Sequence, residues 1–178
     1  MIFFRNIFFA ILALTYLTAC SDAKNSKPET KATPKVEVQK PVVYDSFEEM
    51  EWILNQKNDT TYIINFWATC CKPCVEELPF FLELDNTYRN EKVKLILVSL
   101  DFKKQIEKKL IPFIKKHNLQ PDVVVLTDPD SNSWIPKIAD EWSGSIPATL
   151  IYNNNQRSFY EQSFESFEEL NSILKSNL

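Results

Sequence analysis

Short apolar runs alternate along the chain with stretches in which apolar residues return every three or four positions, as expected of strands interleaved with amphipathic helices. Val42 to Tyr44 opens the series as a short strand. Ser46-Phe47-Glu48-Glu49 has the Ser-x-x-Glu form of a capping box and predicts a helix to about Lys57, with Phe47, Met50 and Leu54 on one face. Thr60 to Trp67 is rich in β-branched and aromatic residues and apolar on both sides, which predicts a central strand. A helix follows from the cysteines to about Tyr88, with Leu78, Phe81 and Leu82 at core spacing and Pro79 in its interior, where the ring should kink it. Val93 to Leu100 is a nearly unbroken apolar run, the pattern of a parallel strand covered on both faces. Ile106, Leu110, Phe113 and Ile114 mark one helix from about Lys103 to His117. Asp122 to Thr127 is the next strand, and a short helical piece surrounds Trp134 to Ala139. Ala148 to Tyr152 and Arg157 to Tyr160 predict a hairpin whose linking asparagines tolerate positive φ. Ser166-Phe167-Glu168-Glu169 is a second capping box, opening a last helix that turns Phe167, Leu170, Ile173 and Leu174 inward. This order predicts an α/β sandwich, a mixed central sheet flanked by helices, over residues 42–178.

Upstream of Val42 the pattern changes. Arg5, the apolar run Ile7 to Leu17 and the small residues before Cys20 form a secretory signal over residues 1–19. A membrane-spanning helix needs about 20 apolar residues, and Ile7 to Ala19 supplies 13. Leu17-Thr18-Ala19-Cys20 resembles the lipobox of bacterial lipoproteins, which would make Cys20 the lipidated first residue of the mature chain. Residues 20–41, with Pro28, Pro34, Pro41 and interspersed lysines, read as a tether that does not fold alone. Extended, it could hold the domain ~60 Å from a membrane. Removing the signal takes away Arg5 and no acid, leaving 19 basic against 24 acidic groups, which argues against a nucleic-acid partner. A single glycine, Gly144, leaves most turns to Asn, Asp, Ser and Pro.

The four cysteines are no disulfide framework, since Cys20 stands apart and Cys70, Cys71 and Cys74 crowd into five residues. Cys71-x-x-Cys74 at a strand-to-helix junction reads as a thioredoxin-like redox dithiol. A structural Cys71–Cys74 bond would close too small a loop to stabilise much. Structural zinc lacks ligands, because His117 is the only histidine and falls at a predicted helix end. The main alternative is copper: Cys70 and Cys74 have the thiolate spacing of Sco-like copper chaperones, and soft thiolates suit Cu(I).

Phe66-Trp67-Ala68-Thr69 with Cys71, Pro73 and Cys74, followed by Glu77 and Pro79, and the distant Ser145-Ile146-Pro147-Ala148-Thr149-Leu150, resemble the TlpA/ResA-like branch of the thioredoxin superfamily. The resemblance implies a thioredoxin-like fold, a nucleophilic Cys71, a resolving Cys74, a cis Pro147 and no cofactor or metal. It also implies a membrane-tethered reductant outside the cytoplasm. Its partners would be disulfides of exported proteins, apocytochrome c among the candidates, and a transmembrane thiol electron donor. The residues support the two cysteine roles in their own right. A helix N-terminus and Lys72 favour a thiolate at Cys71, while Cys74 lies a turn further in. Pro73 falls where a missing N–H costs little. Glu77 is either an acid placed for the helix dipole or a group that moves a proton for Cys74. Pro147 is an ordinary strand-edge proline or, if cis, turns the Ile146 backbone toward the dithiol to pair with a substrate strand. Substrate contact is expected at Trp67, Lys72, Pro73 and Ile146. Trp134 and Trp142 are core or rim aromatics. Cys70 departs from the family, which usually has Trp there; it is a small buried hydrophobe or a third redox thiol. A peroxidase of the peroxiredoxin type would want an arginine beside the thiol, and neither Arg89 nor Arg157 is an evident candidate.

Overall fold

The computed structural model describes residues 40–178; the signal, Cys20 and nearly all of the tether lie outside them. A six-stranded sheet in the order β1-β4-β3-β2-β5-β6 runs through the domain. Its strands are β1 (Val42–Tyr44), β2 (Thr61–Trp67), β3 (Val93–Ser99), β4 (Asp122–Leu126), β5 (Ala148–Tyr152) and β6 (Arg157–Tyr160). The first four are parallel, β5 is antiparallel to β2 and β6 is antiparallel to β5, so the expected mixed sheet is present. β2 is central, with Trp67 opposite Ser99 of β3 on one side and Phe66 opposite Ala148 of β5 on the other.

Alternation along the strands sorts the core into two layers. Ile63, Leu95, Leu97 and Val125 face α2 (Lys72–Thr87), α3 (Ile111–His117) and α5 (Phe167–Ser176). Ile64, Phe66, Ile96 and Val98 face α1 (Phe47–Met50) and α4 (Ser131–Ile138). A strand with both faces covered must be apolar throughout, which is why β2 and β3 read as unbroken runs.

Local details depart from the sequence expectations where tertiary partners intervene. The first helix is a single α turn followed by a 3-10 turn, Glu51–Leu54, and ends short of Lys57. Ser46 caps nothing with its side chain; the free N–H of Phe47 goes instead to Asp128 at 2.9 Å, and Glu49 accepts from Asp45. The helix expected from Lys103 is three pieces, a 3-10 turn Lys103–Gln105, a π turn Ile106–Leu110 and α3. Pro112, which cannot donate to the preceding turn, stands just after the π segment. The β5–β6 turn uses no positive φ: Asn153 Oδ1 takes the N–H groups of Asn155 (2.8 Å) and Gln156 (3.1 Å). Ser166 does cap α5, accepting from Glu169 N at 3.2 Å.

Candidate active site

At the carboxyl end of β2 the chain turns directly into α2, and Cys71 is the N-cap of that helix. Its sulfur accepts the Cys74 N–H at 3.3 Å, satisfying one of the free donors of the first turn. Pro73 occupies that turn without penalty. Cys71 and Cys74 are joined as a disulfide with Cα atoms 5.3 Å apart, so the site is in its oxidised state. Cys71 is half-buried and Cys74 wholly buried. Only the first sulfur can be reached from solvent. Lys72 is exposed and pairs with Glu76 at 3.3 Å, so part of its charge is spent there.

The loop before β5 comes up beside the dithiol. Ile146–Pro147 is cis, and the Ile146 carbonyl oxygen lies 3.7 Å from Cys71 Sγ. A disulfide sulfur has no proton to give that oxygen; a reduced thiol would. Gly144 has φ +91°, a region disfavoured for side chains, and an added Cβ would stand 3.0 Å from Ile135 Cδ1. Trp142 Nε1 donates to Ser145 O at 2.8 Å. Glu161, from the end of β6, accepts from Ser143 N (3.0 Å) and Ser145 N (3.1 Å).

Beneath the dithiol sits Glu77, one turn after Cys74 and only 1% exposed. Its carboxylate accepts from Phe164 N at 2.9 Å and from Asn65 Nδ2 at 3.1 Å. Asn65 also donates to Thr149 Oγ1 at 3.1 Å. Burial raises the Glu77 carboxyl from 4.5 to about 7, the hydrogen bonds opposing but not cancelling that shift. An acid kept for the helix dipole would gain nothing from being buried. One that titrates near neutrality beside an inner cysteine can take and return a proton.

Asp101, 2% exposed, braces the other flank. It accepts from Thr69 N (3.0 Å), from Ser99 Oγ (2.9 Å) and from the Thr69 hydroxyl. Thr69 is two residues before Cys71, so this carboxylate holds the turn that carries that cysteine. Asn65, Asp101 and Glu161 were not singled out from the sequence. The available signal was a polar residue inside or at the end of an apolar strand, as with Asn65 in Ile63-Ile64-Asn65-Phe66.

Two expectations are corrected. Trp67, expected to touch substrate, is fully buried with its ring 5.4 Å from that of Phe113, so it backs the site from within the core. Cys70 is exposed and free, not a small core residue. Lys72 and Pro73 are exposed and Ile146 half-buried at the rim. Trp134 and Trp142 are both buried in the second core layer. His117 is exposed and stacks on Phe113 at 4.1 Å. Among the described residues no three His, Cys, Asp or Glu side chains are grouped to hold a metal ion. Arg157 is committed elsewhere, donating to Leu54 O (2.9 Å) and Ile138 O (3.2 Å).

Known proteins resemble this chain in part of its sequence and in its fold. The thiol-disulfide oxidoreductase ResA of Bacillus cereus is 34% identical over 62 residues, covering 35% of this chain and 34% of that protein. The sporulation thiol-disulfide oxidoreductase A of Bacillus subtilis is 33% identical over 63 residues, covering 35% and 38%. The chain thus spans about a third of the length of these relatives, as their 34% and 38% coverage shows. In three dimensions it is similar to StoA from Bacillus subtilis, with a TM-score of 0.54 at 23% identity over 68% of this chain and 86% of that one. A DsbF homologue from Corynebacterium diphtheriae gives 0.55 at 16% identity over 67% and 73%. These likenesses establish the thioredoxin-like fold. The match that spans most of the chain is to a family within that superfamily, over residues 30–156: the chain belongs to the AhpC/TSA family.

Proposed function

We propose that the protein is a thiol:disulfide oxidoreductase that reduces disulfides of exported proteins by exchange through Cys71 and Cys74, tethered outside the cytoplasm by a lipid on Cys20. The observation that carries the reading is the asymmetric dithiol, with Cys71 reachable at a helix N-cap and Cys74 buried above a carboxyl that titrates at about 7. The Cys71 thiolate attacks one sulfur of the substrate disulfide; that S–S bond breaks, and the departing thiolate takes a proton from water. Cys74 then gives its proton to the Glu77 carboxylate and attacks Cys71 Sγ; the Cys71–Cys74 bond forms as the mixed disulfide breaks, and the substrate's second sulfur leaves as a thiolate that takes a proton from water. An external dithiol donor returns the pair to its reduced form. Ile146, Lys72 and Pro73 form the rim against which a substrate segment lies. No cofactor is needed, because both electrons reside in the thiols. The names of the relatives, each a thiol-disulfide oxidoreductase, support the chemistry, and the signal and lipobox sequence support the location. No helix among the described residues is long and apolar enough to cross a membrane.

The test is trapping. Reduced Cys74→Ser protein should accumulate a mixed disulfide with a disulfide peptide, resolved by mass spectrometry as an adduct on Cys71, and Cys71→Ser should form none. An adduct carried on Cys70 instead, or full turnover by Cys71→Ser, would defeat the reading. The copper alternative, through Cys70 and Cys74, is opposed by geometry, since one thiol is exposed and the other fully buried. Stoichiometric, tight Cu(I) uptake by the reduced protein would restore it.

A further inference from the structure

The described residues leave few large apolar side chains in solvent: Val42, Val43, Trp52, Phe102 and Leu178. Val42 and Val43 lie on the edge strand β1, Trp52 on the turn after α1 and Leu178 at the chain end. Phe102 is different in both degree and place. The residue is 70% exposed, the most of the five.

Its place follows from the sheet. β2 delivers the dithiol, β5 begins beside the end of β2 with Ala148 opposite Phe66, and β3 ends beside it with Ser99 opposite Trp67. Ile146, just before β5, and Phe102, just after β3, therefore lie on opposite sides of β2 at the end of the sheet that carries the dithiol. The backbone at Phe102 is tied down at both neighbours. Asp101 is locked to Thr69 and Ser99, and Lys103 Nζ reaches both carboxylate oxygens of Asp45 at 2.8 Å. The carbonyl of Phe102 itself accepts from Gln105 N at 2.7 Å. Solitary exposed apolar residues are common and ordinarily need no explanation. A phenyl ring held out by an anchored backbone, two bonded neighbours away from the nucleophile's turn, is another matter.

We propose that Phe102 and Ile146 form an apolar rim on either side of Cys71 that selects polypeptide substrates with apolar residues beside the target cysteine, Phe102 being the specificity-determining member. The proposal rests on the thiol:disulfide exchange reading and deepens it. Its chemistry is that of an unfolded chain: disulfides open to reduction lie in segments whose apolar residues have not yet been buried. Such a residue, laid against the Phe102 ring, removes two apolar surfaces from water at once. A small disulfide reaches Cys71 without touching the ring. Cys70, exposed between the two flanks, leaves the approach open.

The experiment compares three oxidants of the reduced protein: hydroxyethyl disulfide and two synthetic peptides with one internal disulfide, leucine flanking the cysteines in one and serine in the other. Phe102→Ala should lower kcat/KM for the leucine peptide about tenfold, the scale for removing one buried aromatic contact. It should leave the serine peptide and hydroxyethyl disulfide within about twofold, since they do not engage the ring. Phe102→Leu, which keeps an apolar side chain, should restore most of the loss. Equal falls for all three oxidants would mean that the ring supports the fold of the site, and no change for any would mean that it meets no substrate, as if it were covered by a lipid surface or a second copy; either result overturns the proposal. Failure of the unmodified protein to react even with hydroxyethyl disulfide would instead overturn the exchange reading itself.

Discussion

Glu77→Gln isolates the energetic consequence of burying a carboxyl under the dithiol. In the folded protein the group titrates at about 7 against an ordinary 4.5, and at 1.36 kcal/mol per unit the difference is about 3 kcal/mol. Below pH ~4.5 the carboxyl is protonated in both folded and unfolded chains and contributes nothing. As pH rises from ~4.5 to ~7 the unfolded chain releases the proton while the folded chain keeps it, so stability falls; above ~7 the full cost stands. Glutamine removes the titration. Its carbonyl can keep the Phe164 N–H, and its amide can meet Asn65, whose Oδ1 is buried without a partner and turns to accept when the Asn65 amide flips. The stability of the variant relative to the parent should therefore climb by about 3 kcal/mol between pH 4.5 and pH 8. Urea unfolding of the oxidised protein at the two pH values reads this directly. A difference between variant and parent that does not change with pH would show that Glu77 titrates normally, and with it the proton-transfer role would lose its basis. The same variant should slow closure of the Cys71–Cys74 bond at neutral pH, because Cys74 loses its nearby proton acceptor.

Two further perturbations probe the supports of the site. Asp101→Ala leaves the Thr69 N–H and the Ser99 hydroxyl without their acceptor and should destabilise the domain by about 1–3 kcal/mol; it should also slow reduction of every disulfide alike, so an unfolding midpoint equal to the parent's would contradict the bracing role. Gly144→Ala forces a side chain into φ +91° and to within 3.0 Å of Ile135 Cδ1. It should cost more than ~1 kcal/mol in thermal unfolding and raise KM for peptide disulfides, because the loop that presents Ile146 must shift; unchanged stability would show that the loop relaxes freely.

Much of this was legible in the linear chain, for identifiable reasons. Element order and strand identity are local properties: β2 and β3 are apolar throughout because both faces are covered, and that writes itself into consecutive residues. The dithiol and its helix N-terminus were equally visible, since strand, Cys71, Pro73 and Cys74 are contiguous. Capping was only half legible. Ser166 caps α5, whereas Ser46 is displaced by Asp128, 81 positions along the chain from the Phe47 N–H it satisfies. The segment after Asp101 has the periodicity of one helix, yet the fold divides it around Pro112.

What the sequence alone determined, then, was the set of elements, the redox pair and the candidates around it. Tertiary structure decided the rest, because each remaining feature depends on residues far apart in the chain being brought to one end of the sheet. The Glu77 carboxyl is pushed up to about 7 only because the fold buries it. Trp67 was moved from substrate rim to core by the packing of Phe113. Asp101 joined the site because β3 lies beside β2, a neighbour relation set by the parallel crossover of α2 and by no local pattern in the chain.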